Sequence, residues 1–258
     1  MRLNYIISAK TDKGIKKSTN QDSLTVKTIR TANGRLVFAL VCDGMGGLLQ
    51  GEVASAAVVR AFDKWVITKL PKLCNVGIKE ADIISHWTNL INEQNAKIRR
   101  YGEIEGIKLG TTITALLLTD SKYYIANIGD SRVYELTNAG MKMLTKDQTV
   151  VEREVEYGNI TREEAKTDAR RSVLLQCCGV LEKISPDIKS GNTKKDAVYM
   201  ICSDGFRHEI SDTEIYEQLN PKKLLNQETM ETNMTYLIEL NKQREERDNI
   251  SVITIRTF

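Results

Sequence analysis

Apolar residues recur along the chain in two patterns, one typical of strands and the other of helices. Residues 36–42 form a continuous apolar run of strand length, which predicts a strand buried on both faces. Residues 51–70 and 83–98 instead carry apolar side chains at mostly helical spacing, which predicts two helices. The side chains expected to face inward are Val53, Ala56, Ala57, Val59, Phe62 and Val66 in the first helix and Trp87, Leu90, Ile91 and Ile98 in the second.

The middle of the chain predicts an antiparallel meander of short strands, because turn signals separate apolar segments. A helix, a turn at Gly158-Asn159 and a second helix are expected from residue 148 to about 165. Ser211 and Glu214 have capping-box spacing and predict the start of a further helix. The remaining predicted elements are strands at 24–29, 111–118, 123–128, 131–136, 141–144, 197–202 and 249–255 and a helix at 224–242. Two runs of strands bracketed by helices predict an α+β fold, with sheets packed on each other and helices outside.

Composition narrows the class of protein. The 258 residues include only three prolines and show no linker, so we expect one domain over 1–258. A net charge of +3 without long basic runs argues against nucleic acid, and no apolar run is long enough for a membrane span. Five cysteines without a Cys-x-x-Cys pair favour reduced thiols in a cytoplasmic protein. A monomer is the default expectation.

Aspartates recur where the predicted strands begin or end. Asp22 precedes the strand at 24–29, and Asp43 follows the buried strand. Asp204 follows the strand at 197–202, and Asp248 precedes the last strand. Carboxylates that converge at a sheet edge cannot all stay ionised without a counter-charge, and oxygen-bound divalent cations supply one. An Asp-Gly pair such as Asp43-Gly44 is alone more typical of a turn, so this prediction depends on the whole set.

The set is recognisable as an ordered series of motifs. The motifs are TNQD at 19–22, VCDGMGG at 41–47, GEVAS at 51–55, GTT at 110–112, IGDSRVY at 128–134, CSDGF at 202–206 and RDNI at 247–250. Together they resemble the type-2C (PPM) protein phosphatase family in its bacterial form, over nearly the whole chain. The resemblance implies a four-layer αββα sandwich with two mainly antiparallel sheets, and a flap subdomain at about 146–191.

The resemblance also implies a metal site. Asp43 would bridge two Mn²⁺ or Mg²⁺ ions, with the Gly44 carbonyl on one of them. Asp204 and Asp248 would complete the shell of the first ion, and Asp22 would approach the second, partly through water.

Three further residues take roles by the same resemblance. Asp130, with Asp204, would hold a possible third ion. Gln21 lies beside Asp22 where many members have Glu, and Asn249 would orient Asp248.

The implied activity is hydrolysis of phosphoserine and phosphothreonine in proteins. Paired cations lower the pKa of a shared water and neutralise charge on the phosphoryl oxygens. Phosphorylated proteins would be the substrates, and a Ser/Thr kinase in the same cell would be the opposing enzyme.

Some positions depart from the family pattern. Lys17 stands where the family has a phosphate-binding Arg, so we expect weaker phosphate binding. Met45 and Leu48 occupy positions where various members have His, which removes a histidine general acid there. Gln148 also stands where His is common.

Other classes fit less well. The chain contains no Cys-x₅-Arg, Gly-Lys-Ser/Thr or His-Glu-x-x-His motif, which argues against cysteine phosphatases, P-loop NTPases and zincins. Its two histidines, His86 and His208, are expected to be a packing residue and a loop residue without a role. Two alternatives remain: a catalytically weak homologue that binds phosphoproteins, which Lys17 favours, and a structural α/β domain.

Overall fold

The computed structural model describes residues 2–31, 34–46 and 50–258. The strands are β1 (Tyr5–Asp12), β2 (Ser23–Thr31), β3 (Gly34–Cys42), β4 (Gly44–Gly46), β5 (Leu109–Thr111), β6 (Ile113–Leu118), β7 (Lys122–Ile128), β8 (Arg132–Thr137), β9 (Gly140–Met143), β10 (Asp187–Asn192), β11 (Val198–Cys202) and β12 (Ile250–Thr257). The helices are α1 (Gly51–Thr68), α2 (Leu70–Val76), α3 (Glu80–Glu105), α4 (Val150–Glu156), α5 (Arg162–Thr167), α6 (Asp212–Leu219) and α7 (Gln227–Gln243), and Asp204–Phe206 forms a 3₁₀ turn.

Two five-stranded sheets form the centre of the fold. Sheet I has the strand order β1-β12-β11-β8-β9, and sheet II has the order β10-β7-β6-β3-β2. All paired strands in both sheets are antiparallel, and a small separate ladder joins β4 to β5. The predicted mainly antiparallel α+β architecture is confirmed.

Three apolar clusters hold four layers together. One cluster lies between sheet II and helices α1 and α3, and another lies between sheet I and helices α6 and α7. The third fills the space between the two sheets. Along β3, Phe38 and Leu40 belong to the helix-facing cluster, whereas Val37 and Ala39 belong to the cluster between the sheets. Because successive strand side chains point to opposite faces, this buried strand supplies both clusters, as the unbroken apolar run predicts.

The predicted central meander is wrong in one respect, because the chain changes sheets within it. Strands β6 and β7 pair in sheet II, whereas β8 and β9 pair in sheet I. The crossing falls at Gly129-Asp130, where Gly129 has φ of 101° and an added Cβ would lie 2.6 Å from the Thr112 methyl carbon. This turn therefore favours glycine. Edge strands β1 and β10 were not predicted, because their mixed polar sequences lack a long apolar run.

Most of the predicted helices are present, but the buried face of α1 differs from the predicted one. In α1, the predicted inward residues Val53, Ala56, Ala57 and Val59 are only partly buried. The buried face is instead formed by Gly51, Ala54, Ser55, Val58, Phe62, Trp65 and Val66. The difference arises in part because Gly51 packs against the Gly44 backbone and the Ser55 hydroxyl donates to the Gln21 carbonyl, and the apolar pattern reveals neither contact.

The remaining helices were anticipated more closely. The Ser211–Glu214 capping box at the start of α6 and the helix-turn-helix of α4 and α5 are confirmed, while α2 was not predicted. Within the described ranges, no helix is both long and apolar enough to cross a bilayer.

Candidate active site

Strand register brings the predicted aspartates to one end of the sandwich. In sheet II, Ser23 pairs with Cys42, so the adjacent Asp22 and Asp43 lie at the same end of the paired strands. In sheet I, Cys202 pairs with Arg132 and with Val252, and these pairs place Asp204, Asp130 and Asp248 at the corresponding edge. The sequence-predicted carboxylates therefore meet where the two sheets end.

Burial and mutual repulsion raise the pKa of three of these carboxyl groups. Burial raises the pKa of Asp22 from 3.8 to about 7, and the charges of Asp204 and Asp248 add to the increase. Burial likewise raises the pKa of Asp130 to about 7, with a further contribution from Asp204. The pKa of Asp43 is raised well above its usual range by burial and then by the surrounding aspartates, Asp22 first. These groups resist ionisation together, as converging carboxylates must.

Asp204 is the exception in the cluster. Its burial would raise its pKa, but His208, Arg207 and a hydrogen bond donated by Asp43 lower the pKa below 3.8. The cluster therefore combines one carboxylate with a lowered pKa and three, Asp22, Asp43 and Asp130, with raised pKa values.

Unpaired buried oxygens make the cluster chemically suited to a hard cation. Both carboxylate oxygens of Asp22 and the Oδ1 of Asp204 are buried without a hydrogen-bond partner of normal geometry. The Ser251 and Ser203 hydroxyls approach Asp22 and only partly offset the rise in its pKa. Such carboxylate oxygens are costly to bury unless another group satisfies them, and oxygen-rich acidic sites favour Mg²⁺, Mn²⁺ or Ca²⁺. Over residues 2–31, 34–46 and 50–258, however, no three His, Cys, Asp or Glu side chains are already spaced to ligate a single ion.

Lys17 lies directly on this cluster. Its Nζ is 2.8 Å from Asp248 Oδ1, and both side chains are a little over one-third exposed. Burial lowers the pKa of Lys17, but the contact with Asp248 outweighs burial and leaves the pKa raised. The residue expected to bind phosphate is therefore at the site and carries a positive charge there.

The Gly-Thr-Thr motif at 110–112 holds the backbone of Asp43. The Asp43 N–H donates to Thr112 Oγ1 at 2.9 Å, and the Thr111 hydroxyl donates to the Asp43 carbonyl at 3.0 Å. The Thr112 N–H donates to the same carbonyl at 2.8 Å. The sequence identified the motif, but only the structure shows this positioning role.

Gly44 is required by close packing. A Cβ on Gly44 would lie 2.4 Å from the carbonyl oxygens of both Gln21 and Gly51. The backbone after Asp43 is thereby pressed against the segment before β2 and the start of α1. Gly47 and Leu48, which belong to the loop motif, lie outside the described residues.

Asn249 stabilises the segment that leads to Asp22. Its Nδ2 donates to the carbonyls of Lys13 and Thr19 at 2.9 and 3.1 Å, and its Oδ1 accepts from the Gln21 N–H at 2.9 Å. Its contact with Asp248 is through its own backbone N–H, which donates to Asp248 Oδ1 at 2.8 Å. The Asn249 side chain thus connects the two acidic segments.

The side chain of Gln21 donates to Glu52 Oε2 at 3.4 Å.

A buried ion network beside Asp130 was not predicted from the sequence. Arg132 donates to both carboxylate oxygens of Asp147 at 2.8 and 2.7 Å. Arg207 donates to the same carboxylate at 3.4 Å and to the Asp130 carbonyl at 3.0 Å. This network fixes the turn where the chain changes sheets. Its members are far apart in sequence, so no local pattern reveals the pairing.

Gln148 connects that turn to the segment after it. Its Oε1 accepts from the Gly129 N–H at 2.8 Å and from Gln176 Nε2 at 3.0 Å. Cys178 forms a backbone bridge with Thr111, which lies next to the Asp43 carbonyl. The region at 146–191 is therefore anchored beside the acidic cluster at both of these points.

Comparison with known proteins identifies the family to which the chain belongs. The protein phosphatase 2C profile matches residues 13–249. A serine/threonine phosphatase from Listeria monocytogenes serotype 4b, Stp, is 32% identical over 222 residues, which are 84% of this chain and 83% of the relative. The chain therefore belongs to the protein phosphatase 2C family and is a protein serine/threonine phosphatase.

Solved structures agree with this assignment. The S. agalactiae serine/threonine phosphatase has a TM-score of 0.84 at 26% identity, over 98% of this chain and 99% of that one. The catalytic domain of the phosphatase PstP, solved with two manganese ions, has a TM-score of 0.79 at 26% identity over 99% of both chains. The resemblance inferred from the motifs is confirmed, and the family is metal-dependent.

Proposed function

We propose that the acidic cluster is the phosphatase active site and that it holds two divalent cations, with a third nearby. The observation that carries this proposal is the burial of three unpaired carboxylate oxygens, on Asp22 and Asp204, among further acidic groups. Asp43, with Asp204 and Asp248, would hold one ion, and the Gly44 carbonyl would contribute to one of the two catalytic ions. Asp22 would complete the second with Asp43 as the bridge, and Asp130 with Asp204 would hold the third.

The chain's own residues divide the remaining work. When bound, Mn²⁺ or Mg²⁺ would supply a water activated for attack on phosphorus and would neutralise phosphoryl charge. Lys17 attracts the substrate phosphate as a point charge, in place of a two-pronged guanidinium. The Thr111 and Thr112 contacts hold Asp43 in place, and Asn249 keeps the segment before Asp22 against Asp248.

We further propose the cellular setting. The relatives named serine/threonine phosphatases support phosphoserine and phosphothreonine proteins as substrates, made by a Ser/Thr kinase that this enzyme opposes in signal transduction. The enzyme would act in the cytoplasm as a monomer, without nucleic acid or membrane partners. Residues 1–258 would form one domain, and 146–191 its flap, beside the site.

Diffraction from crystals grown with Mn²⁺ tests the residue assignment. At a wavelength near the manganese edge, anomalous peaks are expected beside Asp43, and a weaker peak is expected between Asp130 and Asp204. Peaks only at other residues would contradict the assignment. Turnover measured in parallel with Mn²⁺ and Mg²⁺ at matched free concentrations decides which metal the enzyme uses better.

A further inference from the structure

His208 lies where a single imidazole reaches two carboxylates from different segments. Its Nε2 is 3.4 Å from Asp204 Oδ2, and its Nδ1 is 3.4 Å from Glu246 Oε2. Asp204 follows strand β11, whereas Glu246 lies in the segment between α7 and β12. The His208 side chain is 17% exposed and that of Glu246 is 5% exposed, so both contacts are largely shielded from solvent.

The other oxygen of Glu246 fixes the backbone that carries Asp248. Glu246 Oε1 accepts the N–H of Arg247 at 2.7 Å and the N–H of Asp248 at 2.8 Å. Glu246 is itself held, because its own N–H donates to the Asn241 carbonyl of helix α7 at 3.0 Å. Glu246 Oε2 forms no hydrogen bond, so its contact with His208 Nδ1 at 3.4 Å is an electrostatic one. The Glu246 carboxylate thus lies between the His208 imidazole on one side and the Asp248 backbone on the other.

The contact with His208 also orients Asp204. His208 approaches Oδ2 of Asp204, while Oδ1 is buried and has no hydrogen-bond partner. A positively charged imidazole beside one oxygen favours the rotation of the carboxylate that keeps this oxygen towards His208, and it leaves the other oxygen available. This arrangement is typical of groups that orient a metal ligand without touching the metal.

We propose that His208 and Glu246 form a clamp that positions Asp204 and Asp248 together for a divalent cation. The proposal rests on the ligand roles proposed for Asp204 and Asp248. His208 and Glu246 are positioning residues, since each acts through an aspartate. The sequence alone gave His208 no role, because Glu246 is 38 positions away and only the fold brings the two side chains together.

Loss of the clamp should lower the affinity for the metal more than it lowers the rate of the chemical step. Partners that orient metal ligands typically contribute about 10–100-fold to metal affinity. We therefore expect His208→Ala to raise the Kd for Mn²⁺ by about tenfold or more. Turnover should recover most of its wild-type value at saturating Mn²⁺, because His208 does not touch the substrate.

Isothermal titration of the full chain with Mn²⁺ tests the clamp without relying on activity. The variants are His208→Ala, Glu246→Gln and their combination. If the two residues act as one unit, their effects should not add. The Kd of the double variant for Mn²⁺ should therefore be at most about twofold higher than the larger of the two single-variant Kd values.

The other histidine of the chain provides a matched control. His86 accepts a hydrogen bond from Trp65 Nε1 at 3.2 Å, between helices α1 and α3 and away from the aspartates. His86→Ala should lower the melting temperature and leave the Mn²⁺ affinity unchanged. A melting temperature lowered in His208→Ala with wild-type Mn²⁺ affinity would overturn the clamp, because it would show a purely structural role.

Asp204→Asn separates failure of the clamp from failure of the proposed site. If Asp204→Asn loses Mn²⁺ binding while His208→Ala binds within twofold of wild type, the clamp is wrong and the proposed site stands. If Asp204→Asn binds Mn²⁺ like wild type, Asp204 is not a ligand, and both the proposed site and the clamp are wrong. Weakened binding in both variants supports both proposals.

Discussion

Asp22→Asn should stabilise the metal-free protein while it weakens metal binding. Burial raises the folded-state pKa of Asp22 from 3.8 to about 7, so the folded protein holds this proton more tightly than the unfolded chain does. A group of this kind contributes its full stability below the unfolded pKa and loses that contribution as the pH rises through the folded pKa. The metal-free protein should therefore be less stable at pH 8 than at pH 5.

The size of the effect follows from the same shift. One pKa unit corresponds to about 1.4 kcal/mol, so an ionised Asp22 costs the folded state up to about 4 kcal/mol at pH 8. At pH 5 Asp22 is protonated in the folded state but mostly ionised in the unfolded chain. Taking up this proton costs the folded state only about 2 kcal/mol relative to a neutral amide. Asp22→Asn removes this cost at both pH values. The gain in unfolding free energy should therefore be larger at pH 8.

Urea denaturation in EDTA at pH 5 and pH 8 measures this gain. Exposed Glu217 offers a matched carboxyl-to-amide control, and Glu217→Gln should change neither stability nor its pH dependence appreciably. Added Mn²⁺ should stabilise the wild type strongly at pH 8 and Asp22→Asn much less, because a ligand that binds only the folded state shifts unfolding. A variant that is less stable than wild type at pH 8 in EDTA, or equally changed at both pH values, would refute the reasoning.

Three further substitutions test other parts of the account. Lys17→Arg should lower the KM for a phosphothreonine peptide about tenfold, the lower end of the value of one additional charged hydrogen bond, and an unchanged or raised KM would contradict this role. Gly44→Ala should greatly reduce Mn²⁺-dependent turnover, because its Cβ would overlap two carbonyl oxygens, and wild-type kinetics would show that the backbone there can move. Arg132→Ala should lower the unfolding free energy by about 1–3 kcal/mol in urea denaturation, because it removes the two-pronged partner of the largely buried Asp147, which keeps only its longer contact with Arg207. Arg99→Ala, which removes an exposed helical ion pair, should cost under about 1 kcal/mol, and similar losses in the two variants would contradict the argument from burial.

The sequence predicted features that depend on local pattern. The apolar run of β3 identified a strand buried on both faces, and the capping box identified the start of α6. Asp22 and Asp43 lie close together because the start of one strand lies beside the end of its antiparallel neighbour, and this follows from their positions at strand ends. The motif order then identified the family, which the match to the protein phosphatase 2C profile over residues 13–249 confirms.

Features set by tertiary packing could not be read in the same way. The change of sheet at Gly129-Asp130 depends on whether β8 pairs in sheet I or in sheet II. The apolar pattern of β8 is compatible with either sheet. The inward face of α1 was misplaced because Ser55 is buried by hydrogen bonds to Ser23 and the Gln21 carbonyl, not by apolar contact.

The ion pairs of the site illustrate the same limit. Arg132 with Asp147, and His208 with Glu246, are brought together only by the fold. The pairing of Lys17 with Asp248 likewise joins opposite ends of the chain.

The most direct test is hydrolysis of a phosphothreonine peptide by wild type and Asp204→Asn, each with Mn²⁺ and with EDTA. We expect turnover by wild type that requires Mn²⁺ and is lost in Asp204→Asn, with both proteins folded by circular dichroism. Absence of turnover from folded wild type in Mn²⁺ and in Mg²⁺ would contradict this expectation and favour a phosphoprotein-binding role. Full turnover by Asp204→Asn would equally contradict the assignment of the acidic cluster as the active site.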